Sequence, residues 1–166
     1  MNVSNYWLLF IFFGIISCDS SPQKVSAEAT SGVKENHDIK PIYHPSHEPG
    51  RQNNPFSDVV QVGHTYYLTG QIGLDHSNGT LVAGGIKAET AQTLENIKAV
   101  LSQHDLSMTQ VVKATVILSD INDFAVFNEI YKSYFPQKPA RTTFAAAALA
   151  RDAKIEIEVV AVGKDN

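Results

Sequence analysis

The run Ile155-Glu156-Ile157-Glu158-Val159 alternates large apolar and acidic side chains without a break. Successive side chains on a strand point to opposite faces, so this run is a strand with one face buried and one face wet. Such a strand needs neighbours along its edges and a cover over its apolar face. The rest of the chain offers both. Val111–Leu118 is rich in β-branched residues and predicts a second strand. Residues 59–69 predict two short strands about Gly63-His64. Gly70-Gln71-Ile72-Gly73, which follows, suits a close approach of backbones, and His76-Ser77-Asn78-Gly79 is a turn. Residues 88–103 predict a helix, with Ala91, Leu94, Ile97, Ala99 and Leu101 on one stripe. Ser119 to Asp123 supplies capping residues for a second helix through Phe124, Phe127, Tyr131 and Tyr134 or Phe135, which Pro136 ends. Those aromatic residues, at helical spacing, read as core. Residues 142–149 are small and apolar; pattern alone permits strand or helix, and the flanking Arg141 and Asp152-Ala153 favour a strand with a turn. The residues that follow the alternating run 155–159, to Val162, are expected to be buried on both faces.

The order is strand, strand, helix, strand, helix, strand, strand. That order predicts an α+β fold with a mixed sheet and both helices on one sheet face. The other face then needs a partner. Ala145 to Ala148 would permit close packing there, so self-association is expected.

Ahead of this lies a different kind of segment. Residues 7–16 are almost wholly apolar, too short for a spanning helix of roughly 20 residues and suited to the core of a signal peptide. They lead into Ile15-Ile16-Ser17-Cys18, which resembles the bacterial lipobox; Cys18 is the one cysteine in the chain. That resemblance implies cleavage before Cys18 and its acylation. Residues 1–6 hold no Lys or Arg, which departs from the usual basic start. An uncleaved anchor and an ordinary secretory signal stand as alternatives. Residues 18–40 are largely small and polar, with Ser, Pro, Lys, Glu, Thr, Gly and Asn and few large apolar residues, and read as a tether. The expected organisation is a signal peptide at 1–17, a lipidated cysteine and linker at 18–40, and a domain at 41–166. The expected location is export, with a lipid anchor in a bacterial membrane, facing the periplasm or the cell surface.

The formal net charge of −4 argues against nucleic-acid binding and against a polybasic membrane contact. A membrane is met only through the lipid on Cys18. His44 and His47 lie close in a Pro-containing segment without the Cys or acidic framework of a metal site, so no metal is expected. Arg141 and Glu156 are the candidates for chemistry. A guanidinium presents a planar fork to a carboxylate. A glutamate opposite it can orient water or carry a proton. The alternatives are that Arg141 pairs with an acid at a subunit contact and that Glu156 lines the wet face of an edge strand.

The stretches Tyr67-Leu68-Thr69-Gly70-Gln71-Ile72, Glu95-Asn96-Ile97-Lys98-Ala99-Val100-Leu101, Asp120-Ile121-Asn122-Asp123-Phe124, Asn128-Glu129-Ile130-Tyr131, Pro139-Ala140-Arg141-Thr142 and Lys154-Ile155-Glu156-Ile157-Glu158-Val159 occur in an order that resembles the RidA/YjgF family of imine deaminases. The resemblance covers residues 55–162. It implies a chorismate-mutase-like fold, a homotrimer with sites between neighbouring subunits, and no cofactor. It implies hydrolysis of 2-imino acids, such as 2-iminopropanoate and 2-iminobutanoate, to 2-oxo acids and ammonia. The family's carboxylate-holding arginine falls on Arg141 and its water-positioning glutamate on Glu156, a separation of 156 − 141 = 15. Its pocket glycine falls on Gly70 and its helix asparagine on Asn128. Two positions depart: the pocket tyrosine is Phe56, and the pocket cysteine is Thr143. A non-catalytic binder of small carboxylates on the same scaffold is the alternative. RNA cleavage, attached to some relatives, fits poorly with the acidic balance. Export is also unusual, because the family's imines arise in the cytoplasm.

Overall fold

A computed structural model describes residues 39–164. The expected signal peptide, Cys18 and the greater part of the linker lie outside the described residues. Eight strands and two α-helices follow in chain order: β1 (Ile42–His44), β2 (Val59–Val62), β3 (Thr65–Ile72), β4 (Leu74–Asp75), β5 (Thr80–Leu81), α1 (Gly85–Ser102), β6 (Val111–Leu118), α2 (Phe124–Tyr134), β7 (Ala140–Ala145) and β8 (Ile155–Val162). Six of the strands form one sheet in the order β1-β2-β3-β8-β6-β7, and β4 pairs with β5 as a separate hairpin. Neighbours in the large sheet run antiparallel except β6 and β7, which are parallel and joined through α2. A parallel pair needs a crossover of this kind. The α+β architecture with a mixed sheet is the one the alternation and the element order predict.

The core lies between the sheet and the helices. Ile155, Ile157, Val159 and Ala161 of β8 and Ala114, Val116 and Leu118 of β6 meet Leu94, Ile97 and Leu101 of α1 and Phe127 and Tyr131 of α2. Alternation along β8 persists to its end, and Val162 is 41% exposed. The expectation of burial on both faces there is corrected. Apolar content raised that expectation, but the strand keeps its two-residue period whatever the side chains are.

Helix α1 begins at Gly85, three residues before the expected start, after Gly84 in a left-handed conformation (φ 118). Its buried face is partly polar: Glu89, Thr90, Thr93 and Asn96 are buried beside Leu94 and Ile97, whereas Ala99 is exposed. Two of these groups, Asn96 and Glu89, have partners at strand ends, whereas Thr90 Oγ1 donates within the helix to the carbonyl of Ile86. Asn96 Nδ2 donates to the carbonyls of Ile72 at 3.0 Å and Leu74 at 2.9 Å. Gln92 Nε2 donates to Asn96 Oδ1 at 2.8 Å, which fixes the amide's orientation. The amide of Lys154 donates to Glu89 Oε2 at 2.7 Å. Gly73 lets the backbone pass close to the helix; a Cβ there would lie 2.6 Å from Glu89 Cα. Helix α1 therefore pins the end of β3 and the start of β8 through hydrogen bonds that a purely apolar face could not make.

Candidate functional site

Glu156 is the second residue of β8, between the fully buried Ile155 and Ile157. Alternation sends its side chain to the face away from the helices. There it lies against Gly70 of β3, next to an irregularity in the β3–β8 pairing between Leu68 and Gln71. A Cβ on Gly70 would overlap Glu156 Oε1 and would lie 2.9 Å from the carboxyl carbon. Gly70 has no positive φ, so its role is to leave space. Loss of solvent raises the pKa of Glu156, and the neighbouring Glu158 raises it further.

A cavity of about 380 Å³ opens at this carboxylate, with Gly70, Phe56, Arg51, His76 and Arg151 among its walls. Arg51 is held in place: Nη2 donates to Asp58 Oδ1 at 2.8 Å and Nη1 to Gln71 Oε1 at 2.9 Å. Asp58 and Gln71 are both buried. Phe56 is among the residues lining the cavity and has no hydroxyl to donate.

Arg141 occupies a different place. It is in register with Ala114 of β6, which is in register with Val159 of β8. Ala114 and Val159 face the core, so Arg141 projects to the helix side of the sheet. Its guanidinium carbon lies 4.6 Å from the Tyr131 ring centroid, 5.0 Å from that of Phe127 and 5.6 Å from that of Phe124. Cation–π attraction holds it against this aromatic bed. The aromatic series is therefore only partly core: Phe127 and Tyr131 are buried, whereas Phe124 is 38% exposed. No carboxylate among the described residues pairs with Arg141. A second cavity, of about 620 Å³, lies beside it, with Asn128, Tyr131, Lys132 and Lys138 in its walls. The buried Tyr131 hydroxyl has no hydrogen-bond partner among the described residues. Burial raises its pKa and the Arg141 charge works in the opposite direction.

The sequence-predicted residues thus fall into two groups. Glu156, Gly70 and Phe56 line one cavity, and Arg141 and Asn128 line the other. Thr143, in register with Val116, lines neither; its Oγ1 is buried without a partner among the described residues. Arg141 and Glu156 project from opposite faces of the same sheet, so one protomer cannot bring them to a common ligand. Arg51, His76, Arg151 and Tyr131 also line these cavities, though nothing in the sequence marks them as site residues. The first three lie outside the regular periodic segments, and Tyr131 was assigned to core by its spacing. Among the described residues, no group of three or more His, Cys, Asp or Glu side chains is placed to hold a metal ion. Nor is any helix there long and apolar enough to cross a membrane.

Comparison with known proteins adds to this geometry. The family model described as endoribonuclease L-PSP matches residues 46–163. A human protein named 2-iminobutanoate/2-iminopropanoate deaminase is 49% identical over 109 residues, which are 65% of this chain and 80% of its own length. The crystal structure of RidA from an Antarctic Psychrobacter species is 35% identical, with a TM-score of 0.64 over 75% of this chain and 97% of that one. The crystal structure of E. coli TdcF with bound serine is 32% identical, with a TM-score of 0.64 over 76% of this chain and 98% of that one.

Two outcomes follow from the Gly70–Glu156 contact. Gly70→Ala should destabilise the protein by about 1–3 kcal/mol in urea unfolding. In a Glu156→Ala background most of that cost should disappear, because the clash is with one side chain. An undiminished cost in the double variant would place the strain elsewhere. The raised pKa of Glu156 gives the second outcome. The folded chain binds this proton more tightly than the unfolded chain, so the stability it contributes is complete at low pH and is lost as pH rises through the folded value. Glu156→Gln should therefore melt at a higher temperature than the parent at neutral pH. The difference should vanish below about pH 4, where the carboxyl is protonated in both states.

Proposed function

The chain belongs to the endoribonuclease L-PSP family, and on that premise we propose that it hydrolyses small 2-imino acids to 2-oxo acids and ammonia. We propose further that it does so as a homotrimer, in sites shared by neighbouring copies. The observation that carries this reading is Arg141. Its guanidinium is bedded on three aromatic rings beside an open cavity, with no acid of its own protomer among the described residues to satisfy its fork. Such a group suits the carboxylate of a small substrate in a two-point pair. The human relative's name and the serine bound in TdcF, itself a small carboxylate, point the same way.

A 2-imino acid carries an electrophilic C=N carbon next to its carboxylate. Arg141 of one copy fixes the carboxylate. Glu156 of the neighbouring copy takes a proton from water as the oxygen attacks the imine carbon, giving a carbinolamine. It passes that proton to the nitrogen to complete the carbinolamine. It then takes the carbinolamine's hydroxyl proton and hands it to the nitrogen as the C=O bond forms and the C–N bond breaks, leaving a 2-oxo acid and ammonia. The desolvation that raises the Glu156 pKa brings it closer to the working pH, which favours two-way proton transfer. In this reading backbone groups near Gly70 and Thr143 hold the imine end, since the Thr143 hydroxyl reaches neither cavity. Phe56 shapes the cavity without donating a hydrogen bond. A non-catalytic carboxylate binder remains the second reading, and the missing hydroxyl at Phe56 is the observation that favours it.

An oxidase that generates imines in situ, coupled to ammonia detection, tests the reading. Arg141→Ala should lower kcat/KM on the order of 100-fold, as expected for loss of a charge-assisted pair. Glu156→Gln should be inactive. Co-expressing the two variants is the decisive step. A mixed trimer holds one interface with both native residues, so a random mixture should regain roughly a quarter of the parent activity. If the mixture stays as inactive as either variant alone, Arg141 and Glu156 do not act across an interface.

The family's imines arise in the cytoplasm, and the leader of this chain suggests work elsewhere. We propose that Cys18 is acylated and that residues 18–40 tether the trimer to a bacterial membrane. In the native host, Cys18→Ser should move the protein from the membrane fraction to the soluble fraction. Unchanged membrane retention would point to an uncleaved anchor instead.

A further inference from the structure

The cavity beside Glu156 is more basic than cleavage of a short imino acid with an uncharged side chain requires. Three of its lining residues, Arg51, His76 and Arg151, are basic, and Glu156 is the one acid among them. This concentration stands out in a chain whose formal net charge is −4. Arg51 is largely offset by Asp58, with side chains 15% and 5% exposed. Arg151 is not offset: no carboxylate among the described residues pairs with it. Its Nη1 donates to the carbonyl of Gly79 at 2.7 Å, and its other N–H groups have no protein acceptor among the described residues.

The backbone holds Arg151 in a conformation that arginine does not choose. Arg151 has φ 59 and ψ 23, and Asp152 follows with φ 60. Left-handed backbone costs a residue with a branched-off Cβ about 1–2 kcal/mol. Here the turn is fixed between β7 and the buried Ala153, and it brings the guanidinium to the wall of the same cavity that holds Glu156. On the reading above, the substrate's first carboxylate is taken by Arg141 of the neighbouring copy. Arg151, with Arg51 and His76 around it, is then left over on the Glu156 side.

We infer that Arg151 is a specificity-determining residue and that the preferred substrates are 2-imino acids whose side chain ends in a second carboxylate. This rests on the proposed deaminase reading for its chemistry, but the recognition itself can be measured without turnover. The 2-oxo acid products keep both carboxylates and do not react. A charge-assisted contact at Arg151 corresponds to a preference of roughly ten- to a hundred-fold.

The test is calorimetric titration of the full-length protein with 2-oxoglutarate and with 2-oxobutanoate. The parent should bind 2-oxoglutarate at least about tenfold more tightly. Arg151→Asn should erase that preference; asparagine tolerates left-handed backbone, so the turn should survive. Arg151→Lys should keep most of it, since the charge remains. Equal binding of the two acids by the parent, binding of neither, or a preference unchanged in Arg151→Asn overturns the inference. The imine assay, run beside it on the parent, separates the two ideas. Preference in binding without any turnover sinks the deaminase reading and leaves the dicarboxylate site standing. Turnover without preference sinks the dicarboxylate site alone.

Discussion

A missing side chain governs the layout of this molecule. Glu156 sits on a central strand, flanked by residues that belong wholly to the core, and its carboxylate needs room on the opposite face. Gly70 gives that room, because any Cβ on the adjacent strand would occupy the same space. The contact holds only if β3 and β8 keep their register through the irregularity between Leu68 and Gln71. Helix α1 secures it from the other side of the sheet. Asn96 bonds the carbonyls of the last residue of β3 and the first of β4, and Glu89 takes the amide of Lys154 just before β8 begins. Buried polar groups of this kind are directional, so they fix strand position in a way that apolar packing alone does not.

That arrangement also explains which parts of the fold were legible in the sequence. β6 and β8 were plain because period-two patterning and β-branched runs are local signals. The start of α1 and its true buried face were not. The helix turns Glu89, Thr90, Thr93 and Asn96 inward, and a stripe drawn from apolar residues alone takes Ala99 for core and misses them. β1 spans only Ile42–His44, too short to show a period. Arg141, Glu156, Gly70, Phe56, Asn128 and Thr143 could each be named in advance. Their partition between two cavities could not, since it depends on which face each strand position takes once the sheet is assembled. Arg51 and Arg151 lie in irregular segments, where neither residue type nor spacing says what a side chain will meet.

The same parity rule shapes the functional reading. Arg141 shares its face with Ala114 and Val159, and Glu156 shares the opposite face with Ile117. No rotamer change carries either side chain through a sheet. If the two act on one molecule, they come from different copies, and the proposed trimer is then a chemical requirement as well as a means of covering exposed surface. Tyr67, Phe144 and Val162, each more than 40% exposed in the protomer at 48%, 45% and 41%, give that surface an apolar component. Burying them in an interface would be favourable at about 25 cal/mol per Å² of apolar area.

An assembled site also changes the balance of charge around Glu156. In the protomer desolvation and repulsion from Glu158 raise its pKa. A guanidinium arriving from a neighbouring copy would act in the opposite direction and favour the carboxylate. The substrate's own carboxylate would then neutralise much of that guanidinium and restore the proton affinity. Under the proposed mechanism, the group that must first take a proton from water and then release it is tuned by the molecule on which it acts. In such a site the neighbouring copy's Arg141 would favour the Glu156 carboxylate before substrate binds, and seating the substrate's carboxylate would make Glu156 a better proton acceptor when water must be deprotonated.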